Sequence, residues 1–328
     1  MNIKKVVNRT TEELYSTIKI AKCMGVKNAF ETLKGKTYIQ KIVHGNGIEY
    51  PKHTKVFLKK HKIMNDYFSQ NCNAIPLKPI ESSVPDDLSE CVWVCWWQGI
   101  ENAPDLVKRC IESIKINAGP HKVIIITDKN YYDYVDFPDW VIKKYQAGTI
   151  SKTHLSDILR LELLSKYGGL WIDATFFCCD SIVSYFAEPL WSIKRPNYRH
   201  ISVACGQFAN YSFGCNLENR TIFKNIEDYL LQYWNNYNYM VDYLFLDYLI
   251  VQAQKNSEYV RNEFEKIKPN NPKCDELVKI LGKKYDVTIW NKIKKETKLF
   301  KLTWKTKFPS YVDGEKTFYG KLIDGELL

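Results

Sequence analysis

Residues 154–177, HLSDILRLELLSKYGGLWIDATFF, run from a helical pattern through two glycines into an apolar strand. Ile158, Leu159, Leu161, Leu163 and Leu164 give the helix a buried face, and Ser156 is a candidate cap with Asp157 against the positive helix start. Gly168-Gly169 ends the helix, because glycine accepts the left-handed backbone needed there. From Asp157 to Tyr167 the helix rises roughly 15 Å, and from Gly169 to Asp173 the strand returns roughly 13 Å. Nearly equal lengths bring Asp173 back beside Asp157 and Arg160, which share one helix face. Two carboxylates and a guanidinium thus converge on one polar pocket. A lone carboxylate at a strand end is costly to bury, which makes Asp173 the least comfortable of the three as mere structure.

Working outward, CVWVCWW (91–97) and HKVIIITDKN (121–130) are apolar runs separated by a helical pattern at 103–119. Strand, helix, strand with continuous apolar strands predicts a parallel sheet covered on both faces. The expected fold is therefore α/β, with a mainly parallel Rossmann-like sheet flanked by helices. Ligands of such sheets bind beyond the carboxyl ends of the strands, where Trp97-Gln98 and Thr127-Asp128 stand. The proline-rich stretch 75–90 reads as a connector, dividing a helical, basic segment (1–85) from the main domain (86–328). A Tyr-rich helical region spans about 226–255, and DYLFLDYLI (242–250) puts Asp242 and Asp247 on one helix, five apart, with only one of them facing a site.

The net charge of +10 is carried by residues 1–62, which hold 14 Lys and Arg against 4 Glu; the rest is neutral. Such a segment suits a solvated face or contact with an anionic membrane. No zinc pattern or RNA-binding signature accompanies it, so nucleic acid is not an expected partner. Ten cysteines stand without a CxxC spacing, which points to reduced thiols in a cytoplasmic protein. There is neither a signal-peptide core nor a run of about 18 apolar residues.

The block SDILRLELLSKYGGLWIDAT resembles the signature of capsular polysaccharide synthesis glycosyltransferases, relatives of the DXD-containing sugar transferases, yeast initiating mannosyltransferases and clostridial toxin glucosyltransferases. The likeness extends over roughly 90–310, through WVCWWQGIENAPDLVKRCIESIK, VIIITDKNYYDYV, GTISKTHLSDILR, DYLFLDYLI and KLTWK. It implies a GT-A fold, a nucleotide-sugar donor, retention of anomeric configuration, and a glycan or lipid-linked glycan of a bacterial surface as acceptor. By resemblance, Asp157 and Arg160 hold donor-sugar hydroxyls. Asp173, the first Asp of the DXD motif, lies against the donor ribose and the diphosphate-bound metal; Trp97, Gln98 and Asp128 grip the nucleoside. The motif is D-A-T here, and Thr175 replaces the usual second metal ligand. A divalent cation, manganese or magnesium, is then an expectation resting on Asp173 alone. The resemblance offers Lys301, Trp304 and Lys305 as a segment closing on the diphosphate, their lysines supplying the charge. Either Asp242 or Asp247 would bind acceptor hydroxyls or accept a proton. Two other classes compete. A nucleotidyltransferase needs a Gly- and Lys-rich loop that WWQGIENAP lacks, and a non-catalytic nucleotide-sugar-binding assembly protein has no need of Asp157, Arg160 and Asp173 together.

Overall fold

The computed structural model describes residues 3–44 and 47–328; of the basic segment 1–62, residues 1, 2, 45 and 46 lie outside the described residues. The chain opens with three helices, α1 (Ile3–Met24), α2 (Val26–His44) and α3 (Pro51–Asn71). After the connector come β1 (Val92–Cys95), α4 (Asp105–Asn117), β2 (Val123–Ile126), α5 (Asp139–Gln146), α6 (Lys152–Tyr167) and β3 (Gly169–Ile172). Then follow β4 (Phe176–Cys178), β5 (Leu190–Ser192), β6 (Ser212–Cys215), α7 (Arg220–Asn236), α8 (Phe245–Asn256) and, beyond further short helices, β7 (Leu299–Lys301).

The central sheet has the order β2-β1-β3-β6-β5. β1 pairs in parallel with β2 and β3, while β6 runs antiparallel to both β3 and β5. The expected mainly parallel α/β sheet is therefore present, with one reversed strand. Alternation along β1 explains its burial. Val92 and Val94 enter one core cluster with α4, while Trp93 enters the other with α6 and α7.

Gly168 and Gly169 both have positive φ (71° and 81°). At Gly169 a Cβ would stand 2.4 Å from the carbonyl oxygen of Cys91. The second glycine is thus needed both for its backbone conformation and for the close approach of β3 to β1.

α1–α3 are not a detached arm. Met64, Tyr67 and Phe68 of α3 share a core cluster with Tyr233 and Trp234 of α7 and with Phe245 and Tyr248 of α8. Phe68 stacks on Tyr248 with ring centres 5.6 Å apart. Two of the basic residues expected on a solvated face are buried instead. Lys36 pairs with Glu13 at 2.9 Å and donates to the carbonyl of Val241, and Lys60 pairs with Asp242 at 2.6 Å. All ten cysteines are free thiols, and among the described residues no helix is long and apolar enough to cross a membrane.

Candidate active site

The helix carrying Asp157 begins one turn earlier than its sequence suggests. Ser151, not Ser156, is the cap: its Oγ accepts from the backbone N–H of His154. Asp157 consequently lies in the second turn, away from the helix end, and Ser156 does other work, accepting a 2.7 Å hydrogen bond from Trp97 Nε1. The apolar run after Gly169 is two strands rather than one. β3 stops at Ile172, the chain turns through Asp173 with Phe176 N–H bonded to its carbonyl, and β4 leaves the main sheet to pair with β7. The register sets Phe176 opposite Lys301, which carries Lys301 to Asp173.

The result is a chain of charges at the carboxyl edge of β1 and β3. Arg160 donates from Nη1 to Asp157 Oδ1 (2.9 Å) and from Nη2 to Asp173 Oδ1 (3.2 Å). Trp171 Nε1 donates to the same Asp173 oxygen at 3.0 Å, and Lys301 Nζ lies 2.6 Å from Asp173 Oδ2. Arg160 Nε is buried with no hydrogen-bond partner among the described residues, a donor left over in the middle of the cluster. Burial opposes a charge on Asp173, but Lys301 and Arg160 overcome it and hold its carboxyl below the usual range. At Asp157 burial wins over Arg160 and the carboxyl is pushed up.

Two cavities meet over this cluster. The outer one, about 340 Å³, is walled by Trp97, Gln98, Lys152 and Ser156. The inner one, about 430 Å³, is walled by Asn210, Tyr211, Lys301 and Lys305. Asp157, Arg160, Asp173, Thr175 and Trp304 line both. Trp304 reaches over from the segment after β7 and meets Trp96 edge-on, 5.9 Å between ring centres. Asp128 stands beside the outer cavity, its backbone N–H bonded to the Trp97 carbonyl. It is exposed, pairs with Lys152 at 2.6 Å, and leaves the cavity wall to that lysine.

Asp242 and Asp247 do not share a helix. α8 starts only at Phe245, so Asp242 lies in the preceding connection, 4% exposed and paired with Lys60 in the protein core. Burial works against its charge, yet Lys60 and Lys36 hold it below the usual carboxylate range. It lines none of these cavities and is an ion-pair partner in the core. Asp247 instead enters the wall of a third cavity of about 920 Å³, which adjoins the inner one through Asn210, Tyr211 and Leu244. Its Oδ2 accepts from Ser202 Oγ (2.6 Å) and its Oδ1 from Asn210 Nδ2 (2.8 Å). Burial pushes its carboxyl up to about 6, with Asp157 and Asp242 adding to the rise and the Ser202 and Asn210 bonds opposing it. Asn210 and Tyr211 carried no motif that would single them out, and Lys152 and Ser156 lie in the quoted blocks without a site role there; the folded chain sets all four around the cleft.

A divalent cation finds a poor set of donors. Both oxygens of Asp173 are already engaged by cationic side chains, Thr175 brings no charge, and among the described residues no group of three or more His, Cys, Asp or Glu is placed to hold a metal.

Residues 47–322 match the family model described as capsular polysaccharide synthesis protein. The chain is 35% identical over 95 residues to the O-glycosyltransferase braB of Annulohypoxylon truncatum, covering 26% of this chain and 23% of that protein. It is 31% identical over 118 residues to the O-glycosyltransferase PaGT of Phomopsis amygdali, covering 33% of this chain and 28% of that protein. Both are fungal, and the matches span less than a third of either relative. Among solved structures, the PaToxG glycosyltransferase aligns over 64% of this chain and 82% of its own, with 15% identity and a TM-score of 0.34.

Proposed function

The chain belongs to the capsular polysaccharide synthesis protein family, and we propose that it is a glycosyltransferase moving a sugar from a nucleotide-sugar donor to an acceptor hydroxyl. The observation that carries this reading is the Asp157–Arg160–Asp173–Lys301 chain on the floor of a divided cleft. The outer cavity, with Trp97, Gln98 and Lys152, suits the nucleoside, and the inner one suits the diphosphate and donor sugar. Arg160, with its spare Nε–H, and Asp157 hold sugar hydroxyls; Trp304 closes the roof.

In the reaction the acceptor oxygen forms a bond to the anomeric carbon on the same face from which the bond to the diphosphate oxygen breaks. The electron pair leaves with the nucleoside diphosphate, and the hydroxyl proton passes to a base, the role given to Asp247. We assign neutralisation of the leaving diphosphate to Lys301 and Lys305, because the donor set around Asp173 fits a divalent cation poorly. Retention at the anomeric carbon and an acceptor of surface-polysaccharide or lipid-linked type belong to the same proposal; the family description speaks only for the polysaccharide.

Contact with an anionic membrane from the cytoplasmic side is also part of it. Leu14 and Ile18 on α1, and Val26 and Phe30 on α2, are 45–77% exposed at helical spacing. Exposed Lys22, Lys27, Lys34 and Lys41 lie among them. The test of the core proposal is release of nucleoside diphosphate from a panel of UDP-, GDP- and CDP-sugars. One donor should be turned over by the native protein, and Asp173→Asn should abolish turnover. No release and no nucleotide-induced rise in melting temperature with any of them would overturn the enzyme reading in favour of a binding protein.

A further inference from the structure

The 920 Å³ cavity beside the donor cleft lies at the upper end of the roughly 300–1,000 Å³ range typical of small-molecule sites and is about twice the inner cavity. It shares Asn210, Tyr211 and Leu244 with the inner cavity, which places it next to the proposed donor-sugar site. Asp247 marks that junction, and each of its oxygens keeps a lone pair beyond the bonds from Ser202 and Asn210.

The walls mix charged and polar groups with apolar ones such as Phe208, Leu244 and Pro272, and most of the charges are neutralised. Arg195 is paired with Asp275 and Lys279 with Glu276. Arg199 is the exception: among the described residues its guanidinium makes one long hydrogen bond, 3.4 Å, to the carbonyl of Gly47. Next to it Tyr198 is 40% exposed at the rim, its ring packed edge-on against His200. An open aromatic ring and an underused planar donor suit hydroxyl-rich rings that have one apolar face.

The rim is also held in place. Glu49, in the connection before α3, accepts from the backbone N–H of His200 (2.7 Å) and meets its Nδ1 (2.9 Å). His61 of α3 binds the His200 carbonyl at 2.8 Å. The N-terminal helices thus pre-form one side of the cavity, which lowers the ordering cost of binding.

We propose that this cavity is the acceptor site and that it takes a glycan of more than one sugar ring, its attacking hydroxyl beside Asp247 and Asn210 and a further ring over Tyr198 and Arg199. The proposal rests on the donor reading of the neighbouring cleft, and its experiment separates the two. The probes are p-nitrophenyl glycosides carrying one, two and three sugar rings, followed by saturation-transfer NMR, which needs no donor, and by transfer kinetics. Binding should tighten about tenfold from one ring to two. Tyr198→Ala with Arg199→Ala should return the two-ring probes to one-ring affinity; both residues are exposed or at the rim, and melting temperature checks folding. The nucleotide-induced thermal shift, read in parallel, reports the donor site by itself. Equal affinity for all ring numbers, or a two-ring affinity untouched by the double substitution, overturns the acceptor proposal whatever the nucleotides do.

Discussion

Lys301 Nζ sits 2.6 Å from Asp173 Oδ2, although 128 residues separate the two along the chain. The pairing of β4 with β7 makes this possible, since the strand that leaves Asp173 takes Lys301 as the partner of Phe176. The motif has Thr175 at its second carboxylate position and an ammonium beside the first. Removing one preorganised charged donor from a site where charge develops costs about 10²–10³ in kcat. Lys301→Ala should lose turnover on that scale, and Lys301→Met should not recover it. Chelation of divalent ions should leave the native rate within about twofold, in keeping with Thr175 at the second motif position. A rate that collapses with EDTA and returns with manganese would show that the cation, not Lys301, neutralises the diphosphate.

Asp247 gives the pH dependence. Its carboxyl is raised to about 6 by burial, with Asp157 and Asp242 contributing and Ser202 and Asn210 opposing. A proton acceptor must be deprotonated, so kcat/KM should fall as pH drops through about 6. Asp247→Asn should lower the rate by about 10²–10⁴ and abolish that acidic limb. The sign for stability is opposite. A carboxyl raised in the folded state contributes stability below its unfolded value, and the contribution is lost as pH rises through about 6. Melting temperature of Asp247→Asn should therefore hold up better than that of the native protein above pH 6. An unchanged acidic limb in the variant removes Asp247 from the proton path.

How much of this was readable beforehand depends on distance along the chain. The contacts among Asp157, Arg160 and Asp173 follow from helix rise and strand rise over the stretch 157–173, and the sequence alone locates them. The helix start was misjudged because two serines precede the apolar run; Ser151 wins because its Oγ reaches the His154 N–H, while Ser156 is drawn to Trp97. DYLFLDYLI looks like one helix because its apolar residues recur at helical spacing. The chain nevertheless breaks before Phe245, since Asp242 is fixed by Lys60 and its Oδ1 accepts from the Leu244 N–H. That partner stands in α3, and no local pattern could name it. Asn210, Tyr211 and Lys152 join the site by tertiary placement alone.

The Lys60–Asp242 pair bears on stability rather than on catalysis. Both side chains are at most 4% exposed, and Lys60 also bonds the Tyr248 hydroxyl at 3.0 Å. Breaking a buried pair from one side leaves an uncompensated charge, at a cost of about 3–5 kcal/mol. Lys60→Met should lower stability by that amount in urea unfolding, and Lys60→Met with Asp242→Leu should restore most of it. The stability that Asp242 itself contributes should fade on acidification, because its carboxyl is held below the ordinary value. If the double substitution is as damaging as the single one, the pair is not what ties α3 to the connection before α8.

Membrane contact can be tested without touching that core. Deleting the N-terminal helices would remove Lys60, Phe68 and the Glu49 and His61 contacts to His200, so loss of binding after deletion would mean little. Val26 and Phe30 are 77% and 64% exposed and one helical turn apart, which makes them substitutable in place. Val26→Ser with Phe30→Ser should weaken co-sedimentation with vesicles containing anionic phosphatidylserine by about tenfold, the effect of withdrawing two apolar side chains from the interface. Lys27→Gln with Lys34→Gln should weaken it further, with each charge worth about 1 kcal/mol near such a surface. Raising the salt should mimic the lysine changes and spare the apolar ones. Vesicle binding that is indifferent to all four substitutions would place the exposed face of α1 and α2 in water, and the family's acceptor would then have to reach the cleft unaided by the bilayer.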